Sequence, residues 1–270
     1  MQGNKKVYVI FAPAYNYKSS GCKVLYELDY WLRAYGQDSC ITNFEPRNYF
    51  DKRYNVVVLM QAVRLVKDNA TVIYPEIVSG NPLNAKRIIR WVLNAPLKEV
   101  KFNANEITWA YDKFSAKWTD ESHILSVPYV DLSICKNLNL PRKRSAFFVY
   151  KGRKVPRISE LEDIEIKDIE PKQLYKLLNS IKVLYTYDDY TGIADEARLC
   201  GCPVICLDFE STRKEFVKYV HPYDYYGYGY GLKELNHAKQ TLHLFAKPYI
   251  KEFYDKFKEQ LRQFINETKE

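Results

Sequence analysis

The chain is 270 residues long, 47% hydrophobic and 15% aromatic, and carries a formal net charge of +8. Such a composition supports a sizeable core and excludes a disordered chain. No apolar window approaches the length of a bilayer-spanning helix, and the chain runs through Lys5 and Lys6 into a strand without an apolar leader, so a soluble, intracellular protein is expected.

Residues 6–11 form a β-rich run ending at Ala12-Pro13. After a polar loop, Leu25, Leu28, Leu32 and Tyr35 fall at helical spacing and predict a helix over 21–35, closed by Gly36 as a C′ residue. Short strands are predicted at 39–42, 55–59 and 70–74, with a short helix between the last two. Ser79-Gly-Asn-Pro-Leu83 reads as a turn opening a helix to about residue 93, its apolar side made of Ile88, Ile89, Val92 and Leu93. Further strands are predicted at 107–110 and 124–127. Strands alternating with amphipathic helices imply a largely parallel sheet covered on both faces.

A second series follows the basic tract Arg142-Lys-Arg144. Strands are predicted at 146–150, 164–166, 182–186 and 203–207, and helices from Pro171 to 179, at 194–199 and near 212–219. The Tyr- and Gly-rich run 221–231 reads as an aromatic loop or hinge. The tail from Leu232 is helical, with Phe245, Phe253, Phe257, Leu261 and Phe264 on one side and Pro248 forcing a break or kink. The expected fold class is α/β, with two Rossmann-like lobes at 1–130 and 131–235 flanking a cleft, and 236–270 a C-terminal helix packing back across them.

The segment 187–206 carries the most chemistry. It reads as a strand end, a turn, a helix and a buried strand, and it sets Asp188 and Glu196 on either side of a helix start. A turn entering a helix exposes unpaired N–H groups that suit a phosphate, and two acids beside it could hold the hydroxyls of a sugar and a ribose. The positive charge fits an anionic partner such as a nucleotide, a polyphosphate lipid or a phospholipid surface. No DNA- or RNA-binding module is recognisable, so nucleic acid is not expected. Cys200, Cys202 and Cys206 have no histidine nearby in sequence and read as buried thiols of a reducing compartment, not as a zinc site. The expected location is cytoplasmic, with peripheral contact to an anionic membrane left open.

Three segments, in order, resemble GT-B glycosyltransferases, particularly the retaining sugar-nucleotide (group 1) branch. Ile124-Leu-Ser-Val-Pro-Tyr-Val-Asp131 is similar to the strand and linker before the donor lobe, with Tyr129 where Asn-Gly is usual. Phe147-Phe-Val-Tyr-Lys-Gly-Arg153 resembles the first donor-lobe strand and its Gly-Arg ending. Asp188 to Glu196, followed by Cys200-Gly-Cys-Pro-Val204, resembles the Glu-x7-Glu signature and its Gly-x-Pro-Val strand, with Asp188 in place of the first Glu. The resemblance implies transfer of a sugar from a nucleoside diphosphate to a glycan or lipid-linked acceptor, with the sugar nucleotide as donor substrate and no cofactor or metal.

Under that resemblance Arg153 contacts the donor diphosphate and stabilises it as it leaves, with Lys151 or Arg157 beside it. Glu196 accepts hydrogen bonds from the ribose and Asp188 faces the sugar hydroxyls. Tyr190, Thr191, Gly192 and Ile193 form the turn whose amides reach phosphate and sugar, Gly192 removing a Cβ from the approach. In the first lobe, Ser20 and Gly21 border the donor phosphate or acceptor, and Glu76 and Asn81 stand at a strand end where Glu76 could orient an acceptor hydroxyl. Each of these also has a plain reading as a cap, a turn or a solvated charge. The alternative function is a non-catalytic nucleotide-sugar or glycan-binding protein on the same scaffold; a third is a subunit docking a membrane-bound transferase through Arg142–Arg144 and the C-terminal helix.

Overall fold

The computed structural model describes residues 6–43, 52–94, 102–103, 105–120, 122–149, 158, 161, 164–220 and 222–268. The chain divides into two compact units: Met1–Tyr129 with Tyr254–Glu270, and Val130–Phe253. Both are mixed α/β, and each is built on a parallel sheet.

In the first unit, β1 (Val7–Phe11), β2 (Asp38–Thr42), β3 (Thr71–Pro75), β4 (Arg87–Val92) and β5 (Ile107–Ala110) pair in the order β2-β1-β3-β4-β5. Alternation sorts the side chains. Tyr8, Ile10, Ile73, Ile89, Trp91 and Trp109 pack with helix α1 (Ser20–Ala34) and with Phe257, Leu261 and Phe264, while Val9, Val72, Tyr74 and Ile88 pack with α2 (Leu59–Lys67). Helix α1 ends as its sequence predicts. Gly36 takes a φ of 77°, its N–H bonds Arg33 O, and the Gln37 N–H bonds Leu32 O, which is a Schellman closure.

The segment predicted as a helix to residue 93 is instead strand β4, fully inside the sheet. A run of apolar residues this short fits a buried strand as well as a helix, and β-branched Ile88, Ile89 and Val92 favour the pleat. Arg90 was hidden by that reading. Its side chain is 3% exposed, and it pairs with Glu106, 2% exposed, at 3.0 Å. Its guanidinium also donates to Val78 O at 2.7 Å and to Gly80 O, and lies 4.9 Å over the Tyr74 ring. The strands predicted at 55–59 and 124–127 shrink to single bridges, Ile41 with Val56 and Ala110 with Ile124. In the first case α2 begins at Leu59, with Gln61 Oε1 accepting the Val58 N–H.

In the second unit, β6 (Arg144–Phe148), β7 (Ile181–Thr186), β8 (Val204–Cys206) and β9 (Tyr228–Tyr230) pair in that order. Helix α3 (Pro171–Leu178) carries Pro171 at its first turn, α4 (Ile193–Leu199) joins β7 to β8, and α5 (Ser211–Val220) joins β8 to β9. Phe147, Val183, Tyr185 and Ile205 pack against Ala238 of α6 (Leu235–Thr241). The predicted strand at 164–166 is a single parallel bridge from Glu165 to Phe147 on the outer side of β6. The aromatic run expected to be a loop or hinge is in part strand β9, with Tyr228 and Tyr230 buried. Pro248 breaks nothing: α7 (Ala246–Glu267) starts two residues before it, so its missing N–H falls in the first turn, where no partner is needed.

Gly201 has a φ of 75°, and a Cβ there would lie 2.5 Å from Asn137 Nδ2 and 2.9 Å from Arg142 Nη2. The turn from α4 to β8 therefore needs glycine on both conformational and steric grounds. Arg142, read from sequence as part of a basic surface tract, donates instead to the carbonyls of Leu178, Ile181 and Cys200.

Glu106→Gln should destabilise the fold by about 3 kcal/mol, because it leaves the buried Arg90 charge uncompensated. The double change Arg90→Met with Glu106→Leu should recover most of that loss in the same urea titration.

Candidate functional site

Counting the bridge at Glu165, the second unit runs Glu165-β6-β7-β8-β9. This is the same reversal of order as β2-β1-β3-β4-β5. Strand order reverses between β6 and β7, and open α/β sheets bind ligands beyond the carboxyl ends of the strands at such a point. There the two chains part company side by side. The Tyr187 N–H bonds Phe148 O at 3.0 Å, and the Tyr187 hydroxyl accepts the Ile158 N–H at 3.0 Å. The segment after β6 and the turn after β7 thus leave from one place. Lys151, Arg153 and Arg157 lie outside the described residues.

The turn after β7 is built by its own side chains. Asp188 Oδ1 accepts the Tyr190 N–H at 3.2 Å, an Asx turn, and the Asp188 N–H bonds Thr186 Oγ1 at 3.0 Å. Asp189 beside it is also engaged. Its Oδ2 accepts the Glu210 N–H at 2.9 Å and fastens this turn to the entrance of α5. Thr191, Gly192 and Ile193 lead into α4, with the Thr191 carbonyl accepting the Ala194 N–H at 3.1 Å. Gly192 has a φ of −66°, a value open to any residue.

Glu196 is only 4% exposed. Burial first, and then the Glu196 charge, raise the Tyr175 phenol on α3 above its ordinary value, with Cys135, Cys200 and Asp131 acting in the same direction. Cys135 Sγ lies 3.5 Å from Glu196 O and 3.9 Å from Cys200 Sγ. Burial pushes the Cys202 and Cys206 thiols up to about 12, so both stay protonated near neutrality. Among the described residues, no three His, Cys, Asp or Glu side chains gather as a metal-binding group.

Two arginines that sequence reasoning did not single out organise this edge. Arg213, in the first turn of α5, lies 4.4 Å over the Tyr190 ring. Arg198, 5% exposed, pairs with Asp195, donates to Asp224 O and Tyr226 O, and lies 3.8 Å over Phe245. It is a brace between α4 and the segment before β9. Helix α5 is held by Glu234, which takes Lys218 at 2.9 Å, Lys214 at 3.0 Å, the Tyr225 hydroxyl at 2.9 Å and the Tyr230 N–H at 2.7 Å. Neither arginine falls in a motif. Only the first-turn position of Arg213, after the strand following Gly201-Cys-Pro203, hinted at an edge location.

In the first unit, Ser20 opens α1, and the Ser19 hydroxyl caps it by accepting the Cys22 N–H at 3.2 Å. A Cβ on Gly21 would meet Leu93 Cδ1 at 3.8 Å, an ordinary contact. Asn81 is a brace: its amide bonds Tyr74 Oη, Ala85 N and Ala85 O. Glu76 follows β3 directly, and its Oε2 accepts the Leu93 N–H at 2.9 Å. Burial raises its carboxyl above the ordinary range, against the opposing Leu93 and Glu76 N–H groups. No helix among the described residues is long and apolar enough to cross a membrane.

No protein-family model and no curated protein matches the chain. Among solved structures, it is similar to an alpha-glucosyltransferase in complex with UDP and a 13-mer DNA containing an HMU base, at 11% identity and a TM-score of 0.43 over 94% of this chain and 100% of that one. An alpha-glucosyltransferase in complex with UDP gives 11% and 0.45 over 94% and 99%, and the glycotransferase of kitacinnamycin gives 11% and 0.42 over 96% and 95%. Identities and scores this low place the chain in no single family. They do correct one expectation. Nucleic acid was excluded as a partner, yet one of these transferases is held with DNA, and a related complex carries DNA with a central A:G mismatch. The exclusion is withdrawn.

Burial alone would raise the Glu234 carboxyl, but the Tyr230 N–H, Lys218, Lys214 and Tyr225 outweigh it and hold it at about 2, against an ordinary 4.5. A carboxyl depressed on folding stabilises fully above its unfolded value and loses that contribution as pH falls toward its folded value. Stability should therefore drop between about pH 4.5 and 2. Denaturant titrations across this window should show a shallower fall, from a lower plateau, in Glu234→Gln.

Proposed function

We propose that the chain is a glycosyltransferase of the GT-B class that takes a sugar from a nucleoside diphosphate donor. The observation that carries this reading is the place of the Asp188-to-Glu196 segment. It leaves the sheet where strand order reverses, beside the departure of the segment holding Lys151 and Arg153. The second unit is then the donor lobe. Glu196 receives the ribose hydroxyls, the turn at Tyr190, Thr191, Gly192 and Ile193 lies along the sugar and phosphate, and Asp188 shapes that turn while facing the sugar.

Transfer breaks the bond from the sugar C1 to the diphosphate oxygen, whose electron pair leaves with the nucleoside diphosphate, while an acceptor hydroxyl oxygen bonds C1 and gives up its proton. Negative charge grows on the leaving oxygen, so fixed cations lower the barrier directly. Arg153 and Lys151 are assigned that role in this reading. Arg213 joins them, since it is fixed over Tyr190 by α5. No divalent ion is part of the reading, and retention of configuration is carried over from the group 1 resemblance. The acceptor lobe is the first unit.

Arg153→Ala and Arg213→Ala should each lower turnover of the preferred sugar nucleotide by about 10²-fold, the usual cost of losing one fixed charge-stabilising group. Glu196→Gln should weaken donor binding in calorimetry with the melting temperature kept. A thermal-shift screen of sugar nucleotides finds the donor, and a panel of glycans, lipid-linked sugars and HMU-containing DNA finds the acceptor. Wild-type rates in all three variants would discard the site. Tight donor binding with neither transfer nor hydrolysis across the panel would favour a non-catalytic sugar-nucleotide binder, a reading that the use of Asp188 Oδ1 within its own turn also suits.

A further inference from the structure

The first unit has a reversal of its own, and one carboxylate stands at it. In the order β2-β1-β3-β4-β5, direction changes between β1 and β3, and Glu76 is the first residue beyond β3. Open α/β sheets bind ligands outside such a point; the loop from Ala12 to the α1 cap at Ser19 leaves β1 there, and Gly21 of α1 lies near Leu93 at the end of β4. Glu76 reaches across to the Leu93 N–H with Oε2, and its own N–H also bears on the carboxyl, but no other described residue donates to it. No Lys, Arg or His among the described residues pairs with it. Glu106, Glu234 and Asp29, by contrast, each have a cation in contact.

A carboxylate that accepts only backbone N–H groups has lone pairs to spare, and with no cation beside it these suit a neutral O–H donor. We infer that Glu76, at the strand-order reversal of the first unit, binds a hydroxyl of the acceptor. This deepens the transferase reading and rests on it. An aliphatic hydroxyl is the shared chemistry of two sources, a glycan and a hydroxyl-bearing base in DNA. A purely structural role would be confined to capping Leu93, which a Gln oxygen also performs.

The test compares wild type with Glu76→Gln. Acceptor KM should rise about tenfold, the loss expected when a charged hydrogen-bond acceptor becomes neutral, with donor KM and melting temperature unchanged. Unchanged acceptor KM overturns the inference. A second measurement needs no variant and no turnover. Hydrogen exchange of wild type is followed with maltotriose and, separately, with a 13-mer DNA containing an HMU base. Slowed exchange in the peptides holding Glu76 and Leu93 supports the site, and the arm that slows it identifies the source. Protection by neither overturns it. Absent sugar-nucleotide turnover in wild type would sink the transferase reading alone, and the exchange arms would still decide whether Glu76 meets a hydroxyl.

Discussion

Parallel pairing dictates where chemistry can sit in this chain. Every strand must be followed by a crossover that returns to the amino end of the next, so each loop that leaves a carboxyl end lies on one edge of its sheet. Where successive crossovers go to opposite sides, the two loops at the reversal diverge and leave a crevice. That happens once in each unit, between β1 and β3 and between β6 and β7. The second case is completed by a single bridge at Glu165, yet that bridge decides the topology. Without it the order β6-β7-β8-β9 would run one way and place no crevice beside Asp188. The acids at issue, Glu76 and Asp188, stand one and two residues past the strands at these points.

The net positive charge has a different meaning once the cations are located. Arg90, Arg142 and Arg198 are spent inside the protein on carbonyls, carboxylates and rings, and Lys214 and Lys218 are spent on Glu234. These groups hold irregular backbone in place. Arg142 takes carbonyls from three different segment ends, and Arg198 fixes the entry to β9. A guanidinium suits this work because its planar fork of donors can serve several carbonyls while its face rests on a ring. Arg213 differs in position, since its partner ring belongs to Tyr190 in the candidate turn. That is the physical reason for setting it with the site and the others with the scaffold.

How far the sequence could be read depended on whether a residue's role was local. Helix α1 was legible because Leu25, Leu28 and Leu32 share a face and Gly36 closes it, all within one short span. Pro171 and the strands β1, β3 and β7 were legible for the same reason. Strand β4 was not, because its apolar run fits either period and its one buried polar residue, Arg90, is answered by Glu106 sixteen positions away in sequence. Strand β9 was masked by glycines and tyrosines that look like a loop until β8 supplies its pairing partner. In the candidate site, Asp188 and Glu196 were singled out by their spacing and Tyr190 by its place in the turn between them. Arg213 and the cation-free setting of Glu76 arise from folding distant segments together, and no window of sequence contains them.

The one departure from the Glu-x7-Glu pattern has a local cause. An aspartate can turn its carboxylate back onto the N–H two residues ahead, and Asp188 does so at Tyr190, whereas one more methylene would carry the oxygens past that N–H. The same shortening fixes the turn from within, and Asp189 then ties it to the start of α5 through Glu210. Tyr190 is thereby held under Arg213 by bonds on both sides of the turn. The replacement of Glu by Asp thus exchanges reach for rigidity. A turn stiffened in this way presents its ring and guanidinium in one geometry before any ligand arrives, so less ordering entropy opposes binding there.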